Sequence, residues 1–153
     1  MTTMTTIMNL QRREHGTPER IGEVRPSLMV GCLLALITAN LVQVLAGFSA
    51  ADPSPPASVV PAIAATSLLG IAALPMVANG DRLGYKLGIG FCLASMVGMG
   101  PHKLFLENGA VIAPMALVGF AFELVFVAQA IRALRADRAD RADRADRADR
   151  AER

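Results

Sequence analysis

The 153-residue chain is 53% hydrophobic and 18% charged, with a mean hydropathy of +0.43. A water-soluble domain is usually about 45–50% apolar and about 25% charged, and the apolar part of this chain is too short for two domains. The net charge of +2 does not mark a nucleic-acid binder, because seven of the fifteen basic residues lie in a tail where they alternate with acids, so no basic patch forms.

The charges avoid the middle of the chain. Between Ser27 and Ile131 they are confined to Asp52, Asp81, Arg82, Lys86, Lys103, Glu107 and Glu123. Residues 1–26 form a polar N-terminal segment. It is not expected to be a cleavable signal, since the first apolar run is too long for an h-region and has no small-x-small site behind a short core.

Crossing about 30 Å of hydrocarbon takes about 20 helical residues. Residues 27–50 contain no charge and predict the first span. Asp52-Pro53-Ser54-Pro55-Pro56 is a turn, because its prolines cannot continue a helix. Residues 57–78 predict the second span, with Pro61 near its start and Pro75 near its end. Asn79-Gly80-Asp81-Arg82 turns the chain again.

Residues 83–100 predict the third span, which is the shortest of charge-free sequence. It becomes adequate if Lys86 snorkels to one interface while His102 and Lys103 sit at the other. Asn108-Gly109 marks a further turn, and residues 109–131 predict the fourth span, interrupted by Glu123 alone. The positive-inside rule favours four spans over three. With four, Arg12, Arg13, Arg20, Arg25, Arg82, Lys86, Arg132 and Arg135 share one side and only Lys103 is left on the other. The expected fold is therefore an all-α integral membrane four-helix bundle with both ends in the cytoplasm.

Residues 132–153 are a charged extension built on the triplet Arg-Ala-Asp. Alanine is the best helix former, and each Asp is followed four residues later by an Arg, the favourable order for a helical ion pair. The fourth span can therefore continue as a helix. The tail has no apolar stripe and so is not a coiled coil, and the plainer expectation is a solvated segment that frays.

Glu123 is the sharpest single feature. It lies about 12 Å from the end of its span at 1.5 Å per residue. An ionised carboxylate at such a depth costs about 3 kcal/mol or more, so the group is expected to be protonated or partnered. It shares a helix face with Ala116, Gly119 and Ala130, which reads as a packing surface. Thr66 and Ser67 on the second span and Cys92 on the third lie at similar depth. Two uses are open: a proton- or cation-binding carboxyl, or a protonated one hydrogen-bonded to a Ser or Thr that locks the bundle.

Gly84, Gly88, Cys92, Ser95, Met99 and His102 fall within about 80° of arc on the third span. Small residues in such a row let helices approach closely. His102, Lys103 and Glu107 gather at the outer end, where a His can titrate near neutral pH or anchor the interface. Asn40 and Gln43 form a polar face nearer the outer side. Their default use is as interhelical hydrogen-bonding groups, and the alternative is an outward-facing pocket shared with His102.

Cys32 and Cys92 sit in apolar runs without a CxxC pair or an adjacent His, so a metal site is not expected. No catalytic triad, metalloprotease helix, haem-binding histidine pair or nucleotide loop is present. No cofactor is expected. The expected partners are the lipid bilayer, other membrane subunits or further copies of the chain, with no nucleic acid.

From Leu68 to Lys103 the chain resembles the DoxX-like family of small four-helix bacterial membrane proteins. The matching residues are LLGIAALP (68–75), the turn NGDRLG (79–84), the Gly- and Ala-containing third span and the closing His102. The first span lacks the Gly-x-x-Lys-Leu element typical of that family. The resemblance implies four helices in a bacterial inner membrane and an accessory role beside quinone-linked redox enzymes, with no catalytic residues to carry over. The expected function is accordingly that of a non-catalytic accessory or assembly subunit. The alternative is a small proton-coupled transporter that uses Glu123.

Overall fold

The computed structural model describes residues 24–49, 55–99, 105 and 109–151. They form four helices: α1 (Pro26–Ser49), α2 (Val60–Ala78), α3 (Arg82–Met99) and α4 (Gly109–Ala151). By length and composition α1, α2 and the segment of α4 from Ile112 are apolar enough to cross a membrane. α3 has 18 residues and opens with Arg82 and Lys86.

Local chemistry sets the ends of these elements. Pro26 and Pro61 stand in the first turns of α1 and α2, where a missing N–H leaves no intrahelical bond unmade. Pro75 and Pro114 lie farther inside α2 and α4, each removing one backbone donor. α2 stops at Asn79-Gly80. Gly80 has φ +76°, a left-handed conformation that costs glycine nothing. Its N–H donates to the Val77 carbonyl (3.0 Å), and the Asp81 N–H donates to the Met76 carbonyl (2.8 Å). This pair of bonds is the Schellman motif, which satisfies carbonyls that the helix end would leave open. α3 starts at once, with the Tyr85 N–H donating to the Asp81 carbonyl (3.2 Å).

The helices close into a ring in which α1 packs on α2, α2 on α3, α3 on α4 and α4 on α1. α1 and α3 touch across the short diagonal. The core joins Met29, Leu33, Leu36 and Ile37 of α1 with Val77 of α2, Phe91 of α3 and Phe126 of α4. Large apolar side chains also cover the outside, among them Phe48 (79% exposed), Leu68 (67%) and Val97 (76%).

α3 supplies the closest approaches. A Cβ added at Gly84 would lie 2.6 Å from the Met76 carbonyl carbon and 2.7 Å from the Val77 nitrogen, so α3 runs against the backbone of α2. At Gly88 an added Cβ would run into Cζ of Phe126, whose ring fills the space. Across α1, Gly70 of α2 faces Ile37 at 2.8 Å and the Phe91 ring of α3 at 2.9 Å on the same measure. Gly90 has open space.

α4 has 43 residues and is about 64 Å long at 1.5 Å per residue. The sequence leaves open whether the Arg-Ala-Asp tail frays or stays helical, and it is helical through Ala151. Ion pairs link Asp137 to Arg141 (3.2 Å), Asp143 to Arg147 and Asp146 to Arg150 (2.9 Å). The buried seam of α4 runs through Ala116, Gly119, Glu123, Phe126, Ala130 and Ala133, alternating steps of three and four residues. Continued into the tail, the same seam reaches Asp137, whose carboxylate lies 3.9 Å from Nε of Arg82 at the start of α3. The two side chains are half-buried, and a pair this near the surface contributes about 0–1 kcal/mol.

The contacts at glycine give a paired test. Gly84→Ala is expected to destabilise the folded protein in detergent by about 1–3 kcal/mol, the usual range for overpacking. Gly90→Ala is expected to be neutral or stabilising by up to about 1 kcal/mol, from helix propensity alone. Thermal unfolding followed by circular dichroism measures both. Equal effects at the two positions would remove Gly84 as the point of contact between α2 and α3.

Candidate functional site

Four polar residues of the apolar segments point inward, while Thr38 is exposed and Gln43 and Thr66 are partly so. Asn40, Ser67, Ser95 and Glu123 are all buried. Asn40 lies on α1, one helical turn beyond Leu36 and two beyond Cys32. Its side-chain amide donates to Oγ of Ser95 on α3 at 3.0 Å, so the bond crosses the short diagonal of the bundle. Sequence periodicity groups Asn40 with Gln43 on one helix, whereas the fold pairs Asn40 with Ser95 on another. Gln43 is partly exposed.

Thr66 and Ser67 behave differently from Asn40. The Thr66 hydroxyl donates to the Ala62 carbonyl at 2.8 Å, and the Ser67 hydroxyl donates to the Ile63 carbonyl at 2.9 Å. Both bonds go back one turn along α2, the usual local alternative for a hydroxyl inside a helix. α2 also stands across the ring from α4, since its close neighbours are α1 and α3. The hydroxyls expected to hold Glu123 are thus spent on their own helix.

Glu123 is 2% exposed, and neither carboxylate oxygen has a hydrogen-bond partner among the described residues. It sits one turn before Phe126, the residue that covers Gly88. Cys92, one turn beyond Gly88 on α3, lies in the neighbourhood of Glu123 and of Cys32 on α1. Both cysteines are free and buried. The centre of the bundle therefore brings together Glu123, Cys92 and Cys32 from three helices, with the Asn40–Ser95 bond near them on α1 and α3. Among the described residues no group of three or more His, Cys, Asp or Glu side chains is placed to hold a metal ion.

His102, Lys103 and Glu107 fall outside the described residues. Of the small-residue row on α3, Gly84, Gly88, Cys92 and Ser95 are buried, and each faces a different neighbour. Gly84 meets α2, Gly88 meets α4, Cys92 lies in the neighbourhood of Glu123 and Ser95 holds Asn40. The Asp137–Arg82 contact is the polar feature that a span-by-span reading misses. The signal for it is the heptad spacing from Ala116 through Glu123 and Ala130 to Asp137, which continues the packed seam past the last apolar residue.

In comparisons with protein-family models, characterised proteins and solved structures, no match to this chain was found.

A buried polar group that makes no hydrogen bond costs about 1–3 kcal/mol relative to a bonded one. Replacing Glu123 with an apolar residue of similar shape is therefore expected to help the fold. Glu123→Met should raise stability by about 1–3 kcal/mol and Glu123→Gln should change it by less than about 1 kcal/mol. Glu123→Lys should lower it by about 3 kcal/mol or more, the scale for a cation held in an apolar interior. Detergent unfolding curves rank the three variants. A loss of stability in Glu123→Met comparable to that in Glu123→Lys would mean that the carboxyl has a partner in the folded protein.

Proposed function

We propose that the protein is a multi-pass integral membrane protein that acts as a non-catalytic accessory or assembly subunit of a membrane complex. In this reading all four helices cross the bacterial inner membrane, with both ends in the cytoplasm. One observation carries it: the outer faces of the bundle are covered by large apolar side chains, while four polar side chains of the apolar segments are buried within the core. Phe48, Leu68, Leu93, Val97 and Leu124 face outward, while Asn40, Ser67, Ser95 and Glu123 face inward. Water would favour the reverse distribution. Hydrocarbon favours this one, because a polar group there must find its partner within the protein.

The inward polar groups support a packing role more than a chemical one. Asn40 and Ser95 bond each other, Ser67 bonds its own helix, and Gly84 and Gly88 of α3 are in contact with neighbouring helices. The resemblance of residues 68–103 to the DoxX-like family points to the same architecture and to a partner among quinone-linked redox enzymes. The third span draws support from Lys86, which can reach one interface from within α3, and from Lys103 beyond its far end.

The second reading, a small proton-coupled transporter, draws on the buried carboxyl of Glu123 with no hydrogen-bond partner. Four short helices enclose little pathway, so this reading calls for an oligomer.

Purification from native membranes in mild detergent, with the co-eluting proteins identified by mass spectrometry, tests the choice. A stoichiometric partner that Glu123→Gln leaves in place is the expected result. A chain that elutes without a partner and drives coupled uptake in proteoliposomes, with uptake abolished by Glu123→Gln, would replace the subunit reading with the transporter. For topology, an impermeant thiol reagent should label Ser54→Cys and Asn108→Cys from outside and spare Ala151→Cys until the membrane is opened. Outside labelling of Ala151→Cys would exclude four spans.

A further inference from the structure

A groove of about 460 Å³ opens where the turn between α2 and α3 meets the start of the tail. Its charged and polar lining comes from Asp81, Arg82 and Tyr85 on one side and Asp137, Asp140 and Arg141 on the other. The volume falls in the range of about 300–1,000 Å³ typical of small-molecule sites. The groove lies at the boundary of the apolar sequence, since α2 ends at Ala78, α3 opens at Arg82 and the uncharged run of α4 ends at Ile131. In a bilayer that boundary is the headgroup layer.

Two atoms in the groove are shielded from solvent and make no hydrogen bond: Nε of Arg82, a donor, and Oδ2 of Asp137, an acceptor. They stand 3.9 Å apart, too far to bond each other. Nη2 of Arg141 lies 3.2 Å from the same Asp137 oxygen, and Nε of Arg141 donates to the other one. Arg141 thus already pairs with both Asp137 oxygens, so a ligand that fits here must offer an acceptor to Nε of Arg82, and a donor on it would be met by Asp140 beside the Asp137 carboxylate.

The lining charges narrow the class further. Three aspartates against two arginines give the groove a net charge of −1, which disfavours a simple anion. A phosphate beside a primary ammonium meets both demands. The phosphate oxygens accept from the guanidiniums of Arg82 and Arg141, as arginine favours, and the ammonium N–H groups donate to Asp137 and Asp140. A quaternary choline has no N–H to donate, and a glycerol headgroup brings no cation.

We propose that this groove binds the phosphoethanolamine headgroup of a membrane phospholipid. The site rests on the membrane reading given above, which places its mouth among headgroups and leaves room for acyl chains along the exposed apolar sides of α3 and α4. Headgroup pockets between helices at a membrane boundary are typically basic and take anionic lipids, and the aspartates of this groove shift its preference to a headgroup that carries a cation.

The full chain, purified in detergent, is titrated with dioleoyl phosphatidylethanolamine, phosphatidylcholine and phosphatidylglycerol, and bound lipid is counted by native mass spectrometry. The ethanolamine lipid is expected to bind at least about fivefold more strongly than either other lipid, a difference of about 1 kcal/mol (RT ln 5 with RT about 0.59 kcal/mol). The wild-type comparison stands without any variant. Asp140→Asn with Arg141→Gln, which keeps Arg82 and Asp137, is expected to remove most of the preference, with folding verified by circular dichroism. Equal binding of the three lipids, or a preference that survives in the folded double variant, overturns the proposal. Free phosphoethanolamine is added in a separate arm. Competition with the lipid supports recognition of the headgroup, whereas binding of the free compound without binding of the lipid overturns the membrane source. Carbonate extraction of native membranes separates the two levels. Release of the protein would defeat the membrane reading itself, while resistance to extraction without lipid preference would defeat only the groove.

Discussion

The ring of Phe126 lying over Gly88 sets the spacing of the whole bundle. No side chain stands between them, so α4 comes as close to α3 as a ring's thickness allows. α3 is at the same time pressed backbone to backbone against α2 at Gly84. Held from both sides, α3 reaches across the short diagonal to α1, which is what lets Ser95 accept from Asn40. A bulkier residue at position 88 would push α4 outward and break the register that buries Glu123 one turn away. In hydrocarbon such contact is the main source of helix association, because lipid chains are as apolar as the side chains they would replace.

That close packing also explains the isolation of Glu123. A carboxyl needs donors, and the nearest elements offer few. α3 presents Gly88 and Cys92 on the facing side, and α1 presents Cys32 and leucines. The hydroxyls of Thr66 and Ser67 donate to carbonyls of α2, and Ser95 is held on the α1 side as the acceptor for Asn40. The group thus remains as a concentrated polar cost at the centre of the bundle. Such a cost is borne where it serves a purpose or where the surrounding packing is strong enough to absorb it.

Much of the architecture can be read along the chain. The uncharged run from Ser27 marks α1, the prolines near residue 55 end it, and Asn79-Gly80 announces the Schellman turn through the one residue type that takes φ +76° freely. The row Gly84, Gly88, Cys92, Ser95 is legible as the packed face of α3 from its spacing alone. What spacing cannot supply is the order of helices around the ring. Thr66, Ser67 and Cys92 look equally able to reach Glu123 until α2 is found across the ring from α4. Asn40 likewise reads as an interhelical hydrogen-bonding group, but its partner Ser95 is fixed only once α1 and α3 are found to meet. The tail is a case where local chemistry leaves two outcomes open, because Asp-to-Arg pairs of about 0.3–0.5 kcal/mol each only modestly favour the helix.

The triplet period of that tail has a mechanical consequence. Three residues of α-helix turn through about 300°, so successive triplets step back by about 60° and the alanines wind once around the rod in about 18 residues. No side of the rod is distinguished from another. Removing or adding one Arg-Ala-Asp unit shifts the tip by about 4.5 Å and rotates it by about 60°, yet every aspartate keeps an arginine four positions ahead. The rod can therefore change length by whole triplets without a change in its surface chemistry, much as a ladder keeps its rungs when it is cut. Copying errors in such a repeat would alter reach and leave the bundle beneath it untouched.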